Sequence, residues 1–362
     1  MSNGLEPLIV GDLQIKIPII QGAMGVKVST ASLASAVAKH GGAGTIASVG
    51  LGCGTEENET NFVKASREGL EEEIRQSREL TQGIIGVNIM VALNNYEDLA
   101  RTAVREKADF IVSGAGLPLK LPEFADGSSI RLVPIVSSPR AADIIIKVWK
   151  KRYNRLPDAI IVEGPLAGGH LGFKFEDLEP HKEDMLENLV VDVLKVVKEY
   201  EKRLGINMPI IAAGGIFDGK DVARFLRLGA KGVQIATRFV TTFECPVADE
   251  FKQLYLAARE EDIVIIKSPV GMPGRAIMTK LIDKVMHGEK VPVKCNYRCI
   301  KTCDPKTAPY CIAKALFNAV IGNLDNAVVF AGSNVSKMKK IVSVEELMNS
   351  IVSEATEELD KV

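Results

Sequence analysis

The stretches 209-PIIAAGGIFDG-219 and 232-GVQIATRF-239 each run from a short apolar segment straight into small residues. An apolar run without alternation is what a parallel strand buried on both faces requires. The small residues that follow let the chain turn tightly into a helix. Working outward, the same unit recurs at 18-PIIQGAM-24, 43-AGTIAS-48, 84-IIGVNIM-90, 109-DFIVSG-114, 132-LVPIVS-137 and 159-AIIVEG-164, which brings the total to eight. Helical patterns fill the intervals, the βαβ rhythm of a parallel sheet. Eight units leave no strand over, and no Gly-x-Gly-x-x-Gly turn opens the first of them. A closed (β/α)8 TIM barrel is therefore expected in place of an open doubly wound sheet.

The helices carry their own signals. Ser138 and Pro139 form an N-cap and first-turn proline for a helix over 141–151, and Asp218 caps one that ends near Gly229. In 183–204 apolar residues recur at three and four, and Gly205 stops the helix. The charge-dense 67-REGLEEEIRQSREL-80 keeps helical apolar spacing and reads as a solvated helix face. The barrel is expected over 1–240. Residues 241–362 then form a mostly helical appendage packed on it, with helices near 247–259, 309–321 and 343–357 and irregular chain near 267–292.

With 45 Lys+Arg against 46 Asp+Glu, the chain has no basic excess for nucleic acid or an anionic membrane. No basic n-region precedes an apolar stretch at the N-terminus, and no segment approaches 18 uninterrupted apolar residues, so a cytoplasmic protein acting on a small molecule is expected. The sequence leaves a homodimer open as the assembly.

In a barrel, function collects after the strands, and there this sequence is rich in glycine. Phosphate needs several backbone N–H groups aimed at one point, which small residues permit. Gly214 and Gly215 after the seventh strand, with Ala236 and Thr237 after the eighth, stand where barrels commonly bind one. The bland alternative is a pair of tight turns. Of the four histidines, His40, His170, His181 and His287, only His170 sits in a glycine-rich loop at a strand end. Imidazole there suits acid–base work, because both its forms are accessible near neutral pH. Ser137, Ser138 and Lys120 also lie near strand ends, but a cap and an exposed loop charge account for the last two.

The set PIIQGAMG, GVN, AGGHLG, AAGGI and GVQIATRF, in this order, resembles the nitronate monooxygenase family and its relatives, the flavin-dependent enoyl-ACP reductases, over about residues 7–340. The resemblance implies non-covalent FMN with its phosphate on the last two turns and its ring across the barrel mouth. Carried over position by position, it implies Gly22, Ala23 and Met24 beside the ring, with Asn88, Glu163, Gly168, Gly214, Gly215, Gln234, Ile235, Ala236 and Thr237 completing the FMN site. His170 would face the flavin and move a proton at the reacting carbon. One departure stands out: the family often has glutamine where this chain has Glu163, and Gln-Gly-x-Glu-Ala where it has Glu-Gly-Pro-Leu-Ala. The implied reaction is oxidation of alkyl nitronates to carbonyl compound and nitrite with O2. NAD(P)H-dependent reduction of an enoyl thioester and a non-catalytic flavin sensor are its rivals on the same fold.

Four of the six cysteines crowd into 295-CNYRCIKTCDPKTAPYC-311. Cys295, Cys299, Cys303 and Cys311 would supply four thiolates to an iron–sulfur cluster or zinc, although Cys-x2-Cys pairs are absent. Reduced thiols that simply pack the appendage are a second reading and a disulfide or redox role a third, the disulfide being disfavoured in the cytoplasm.

Overall fold

The computed structural model describes residues 4–178, 185–295 and 298–361. His181 lies outside the described residues. An antiparallel hairpin, β1 (Leu8–Val10) and β2 (Leu13–Ile15), comes first. A barrel of eight parallel strands follows: β3 (Ile19–Gln21), β4 (Gly44–Ala47), β5 (Ile85–Met90), β6 (Phe110–Gly114), β7 (Arg131–Val136), β8 (Ile160–Glu163), β10 (Ile210–Ala213) and β11 (Gly232–Ile235). The two-residue β9 (Gly169–His170) lies outside the barrel wall. Neighbours run β3-β11-β10-β8-β7-β6-β5-β4. The seam between β3 and β4 closes through Gln21 N–H to Ala43 O at 2.9 Å and Ala43 N–H to Ile19 O at 3.0 Å. Each of the eight apolar runs holds one barrel strand, and the closed TIM barrel is the fold.

Both faces of these strands are buried, which explains why the sequence runs are continuous and not alternating. Inside the barrel Ile20, Phe110, Val112, Val133, Ile161 and Ile211 form one apolar cluster together with Leu8, Val10 and Ile15 of the hairpin. The hairpin thus plugs the barrel. Its three-residue strands are too short to register as a period.

The helices are α1 (Ala31–Lys39), α2 (Glu56–Thr60), α3 (Phe62–Leu80), α4 (Tyr96–Arg105), α5 (Leu121–Phe124), α6 (Pro139–Tyr153), α7 (Met185–Leu204), α8 (Gly219–Arg227), α9 (Thr237–Val240), α10 (Asp249–Ala257), α11 (Lys280–Met286), α12 (Ile312–Val320) and α13 (Val344–Leu359). The Ser138 and Asp218 caps form as expected, accepting from Ala141 N–H and Asp221 N–H. No helix among the described residues is long and apolar enough to cross a membrane.

Beyond the barrel one expectation is corrected. The stretch 267–292, expected to be irregular, contains β13 (Pro273–Ile277) and α11, and β13 pairs with β12 (Ile263–Lys267) and β14 (Val329–Phe330). The order of that small sheet comes from pairing across sequence distance, which local periodicity does not record. β13 also pairs with β9, placing Gly274 opposite His170 and Arg275 opposite Gly169. The C-terminal third therefore builds part of the barrel mouth, while α13 packs along α8 and α1.

Candidate active site

A cavity of ≈ 260 Å³ lies at the C-terminal ends of the barrel strands. Every residue singled out for FMN or catalysis lines it: Gly22, Ala23, Met24, Asn88, Glu163, Gly168, His170, Gly214, Gly215, Gln234, Ile235, Ala236 and Thr237. The first turn is held from beneath by Gln21. Its Nε2 donates to Ser29 Oγ at 2.9 Å, its Oε1 accepts from Thr45 N–H at 3.0 Å, and Ser29 Oγ accepts from Met24 N–H at 2.9 Å. This buried amide is satisfied on both sides and fixes the loop that carries Gly22 to Met24.

After β10 the chain turns through two left-handed residues, Gly214 at φ +92° and Gly215 at φ +85°. A Cβ on Gly215 would lie 2.9 Å from Leu166 Cβ, and one on Gly214 would lie 3.0 Å from Gly164 O. Glycine is thus required here for conformation and for space. Asn334 Nδ2 donates to Gly215 O at 2.6 Å, and Gly332 N–H donates to Thr237 Oγ1 at 3.0 Å, so a turn from the far end of the chain braces both glycine-rich loops. Three polar atoms of the lining, Asn58 Oδ1, Gln234 Oε1 and Arg238 Nε, are buried without a partner among the described residues. The Arg238 guanidinium lies 4.2 Å over the Phe217 ring, and burial lowers its pKa.

His170 is held by the small sheet. Its Nε2 hydrogen-bonds Ser268 Oγ at 2.7 Å, and the Phe330 ring meets it edge-on at 4.9 Å. Burial pushes the imidazole down to about 4, so it is neutral at physiological pH. The loop leading to it is clamped by Arg275, which donates to Pro165 O at 2.7 Å and Ala167 O at 3.2 Å. Glu163, at the end of β8, is pushed by burial up to about 7. Protein surrounds both Glu163 and His170, and the surface they retain faces the cavity.

Ser268, Arg275, Phe330, Gly332 and Asn334 were not singled out from the sequence, and Arg238 was passed over inside 234-QIATRF-239. The Gly-Ser-Asn turn at 332–334 was the one local signal among them. His287 is exposed at the end of α11 and His40 ends α1, both away from the cavity.

The metal expectation is not met. Among the described residues no three histidine, cysteine, aspartate or glutamate side chains converge to hold a metal ion, and all six cysteines are free. Burial pushes Cys299 up to about 12, and the nearby thiols of Cys311, Cys295 and Cys303 add to the effect. Cys299 and Cys303 pack against the main core. The segment is latched by backbone: Cys299 O accepts from Asn94 N–H at 3.0 Å, Lys301 N–H donates to Ala92 O at 2.9 Å, and Thr302 Oγ1 donates to Val270 O at 2.6 Å.

The model of the nitronate monooxygenase family matches residues 6–109 and 95–354. The chain is 29% identical over 278 residues to a (3aS,4S,5R,7aS)-5-hydroxy-7a-methyl-1-oxo-octahydro-1H-indene-4-carboxyl-CoA dehydrogenase of Mycobacterium tuberculosis, covering 76% of this chain and 67% of that one. It is 27% identical over 310 residues to a probable nitronate monooxygenase of Staphylococcus saprophyticus, covering 78% and 81%. Among solved structures, FabK from Thermotoga maritima superposes with a TM-score of 0.74 at 27% identity, over 96% of this chain and 95% of that one. A nitroalkane oxidase from Streptomyces ansochromogenes shares the fold, with a TM-score of 0.70 at 20% identity over 94% and 96%.

Proposed function

Because the chain belongs to the nitronate monooxygenase family, a family of oxidoreductases, we propose that it is FMN-dependent and oxidises alkyl nitronates to a carbonyl compound and nitrite, with O2 as electron acceptor. The fit to FMN rests on the partnerless Gln234 Oε1 and Arg238 Nε, and on turns where a Cβ would meet backbone or packed side chains. Gly214, Gly215, Ala236 and Thr237 would hold the phosphate through their N–H groups, with Arg238 adding positive charge. Gly22, Ala23 and Met24 would border the ring, and Asn88, Glu163, Gly168, Gln234 and Ile235 would complete the site. Bound there, FMN supplies the two-electron acceptance that the oxidation needs.

The protein's own contribution centres on His170, and the observation that carries the reading is an imidazole on the wall of this cavity, fixed by Ser268 Oγ at 2.7 Å. In the tautomer whose Nε2–H donates to Ser268 Oγ, Nδ1 is the nitrogen that accepts a proton. On a neutral nitroalkane His170 would break the α C–H bond, taking the proton while the electron pair delocalises into the nitro group. A preformed nitronate does not need that step.

A second reading, reduction of an enoyl thioester by NAD(P)H with His170 as proton donor, draws on the likeness to a CoA-ester dehydrogenase. One experiment separates the two. The purified protein should have the visible bands of flavin, and anaerobic ethylnitronate should bleach them within seconds. Bleaching by NADPH and not by ethylnitronate would put the reductase in its place, and a colourless protein that takes up no added FMN would end both readings.

A further inference from the structure

A second cavity, of ≈ 250 Å³, opens beside the first and shares no lining residue with it. Three stretches of chain divide the two. Met90, Ala115 and Ile300 line the cavity at the barrel mouth, whereas Val91, Leu117 and Lys301 line its neighbour. Buried Tyr96 at the start of α4 and buried Phe124 in α5 form the floor, their rings meeting edge-on at 5.9 Å. The turn over 115–120 supplies one side. Ala115 takes φ +52° and Gly116 φ +124°, and a Cβ on Gly116 would lie 3.2 Å from Val91 Cβ. A left-handed alanine is uncommon and persists only where the surrounding structure holds it. Trp149 braces the turn from behind, its Nε1 donating to Pro118 O at 3.0 Å.

The charge facing this cavity is positive. Lys120 and Lys301 are exposed at its rim, and neither forms an ion pair among the described residues. Lys301 Nζ donates to Val91 O at 2.7 Å and lies 5.6 Å over the Tyr96 ring, which fixes the ammonium and leaves two of its N–H groups for another acceptor. Glu97, the acidic residue of the lining, is engaged by Arg101 at 2.9 Å. Backbone donors are already used: Val91 N–H donates to Gly114 O at 2.9 Å and Leu119 N–H to Leu117 O at 2.9 Å, and Pro118 has none to give.

Two ammonium groups over an apolar floor suit an anion with an apolar body. Lysine takes either a carboxylate or a phosphate, but phosphate sites usually add converging backbone N–H groups or an arginine fork. This lining offers neither, which favours the carboxylate. An apolar cavity of about 150 Å³ admits benzene, so one of ≈ 250 Å³ holds about ten non-hydrogen atoms. We propose that this cavity is a binding site for a small organic carboxylate, with the anionic group at Lys120 and Lys301 and the apolar body against Leu117, Leu119, Tyr96 and Phe124. The site is separate from that of His170 and stands independently of the reaction assigned there.

The test titrates the full chain, as purified, with phenylacetate, read calorimetrically and through the emission of Trp149, the single tryptophan. One equivalent should bind with a Kd of about 1 mM or tighter, and the neutral 2-phenylethanol should bind at least about tenfold more weakly. Lys120→Met removes an exposed side chain that no other described residue engages. It should weaken phenylacetate about tenfold and leave the melting temperature unchanged. Lys301→Met should weaken it at least as much; because that change also breaks the bond to Val91 O, Lys120→Met decides. Absence of saturable binding would overturn the site. Binding untouched by Lys120→Met would put the ligand elsewhere and overturn it equally, and phenyl phosphate binding more tightly than phenylacetate would overturn the carboxylate class.

Discussion

Replacing Glu163 by glutamine should make the protein more stable above neutral pH, and the size of the effect follows from where the carboxyl sits. Burial without a compensating cation raises it from 4.5 to about 7. An acid whose folded-state pKa is raised holds its proton more tightly when folded, so it costs stability as pH rises from the unfolded value through the folded one. With these two values the carboxyl costs, relative to a permanently neutral group, about 1 kcal/mol at pH 5 and about 3 kcal/mol at pH 8. For 362 residues, an unfolding entropy of roughly 2 cal/mol/K per residue turns the difference into about 3 °C. Melting curves of the unaltered protein and Glu163→Gln, both stripped of flavin, should therefore diverge by about 3 °C between pH 5 and pH 8, with the glutamine variant higher at pH 8. Parallel pH profiles, or a variant less stable than the unaltered protein at pH 8, would refute the claim that this carboxyl is held protonated. A protonated carboxyl offers one donor and one acceptor, as an amide does, so Glu163→Gln should also retain bound flavin.

Three further outcomes are expected. Gly215→Val, which puts a branched side chain at φ +85° and against Leu166, should purify with less than about a tenth of the flavin of the unaltered protein and a near-normal circular dichroism spectrum; full flavin occupancy would remove the phosphate assignment. His170→Asn should keep flavin while turnover of neutral nitroalkanes falls ~10²- to 10⁴-fold, and ethylnitronate should survive the change far better. Because burial holds the imidazole down to about 4, kcat/KM of the unaltered enzyme should show no ionisation of this group between pH 6 and 8, and a His170-dependent step near 6.5 would contradict its burial. Anaerobically purified protein should contain neither iron nor zinc in stoichiometric amount, with Cys295, Cys299, Cys303 and Cys311 all titrating as thiols; a metal lost in Cys303→Ser would reverse that conclusion.

The barrel was legible because each of its strands is buried on both faces and must be written as an uninterrupted apolar run, such as Ile210–Ala213 or Gly232–Ile235. The glycine turns were legible for a related reason, since left-handed backbone at Gly214 and Gly215 restricts the residue type locally. What escaped was whatever depends on a distant partner. Ser268 is 98 residues from His170, and Arg275 is 110 from the carbonyl of Pro165. Neither stands in a pattern that its neighbours reveal. The cysteine segment erred in the opposite direction. Four thiols crowded in sequence suggested a ligand set, but among the described residues no three of them are placed to hold a metal ion, and two pack against the core.

These distances also explain how one cavity acquires two different walls. The barrel strand ends carry the glycine turns and the two charged groups, Glu163 and Arg238, and are positioned by a closed sheet that has little freedom to change. The opposite lining, which includes Val26, Val49, Ile312 and Leu316, comes from loops and from α12, whose side chains can vary in size without disturbing a barrel strand. His170 stands between them, on a barrel loop by sequence but fixed by β13, Ser268 and Phe330 from the C-terminal third. Any change that loosens the pairing of β9 with β13 would shift the imidazole itself, and so would act on the chemical step even though the altered residue lies a hundred positions away from it.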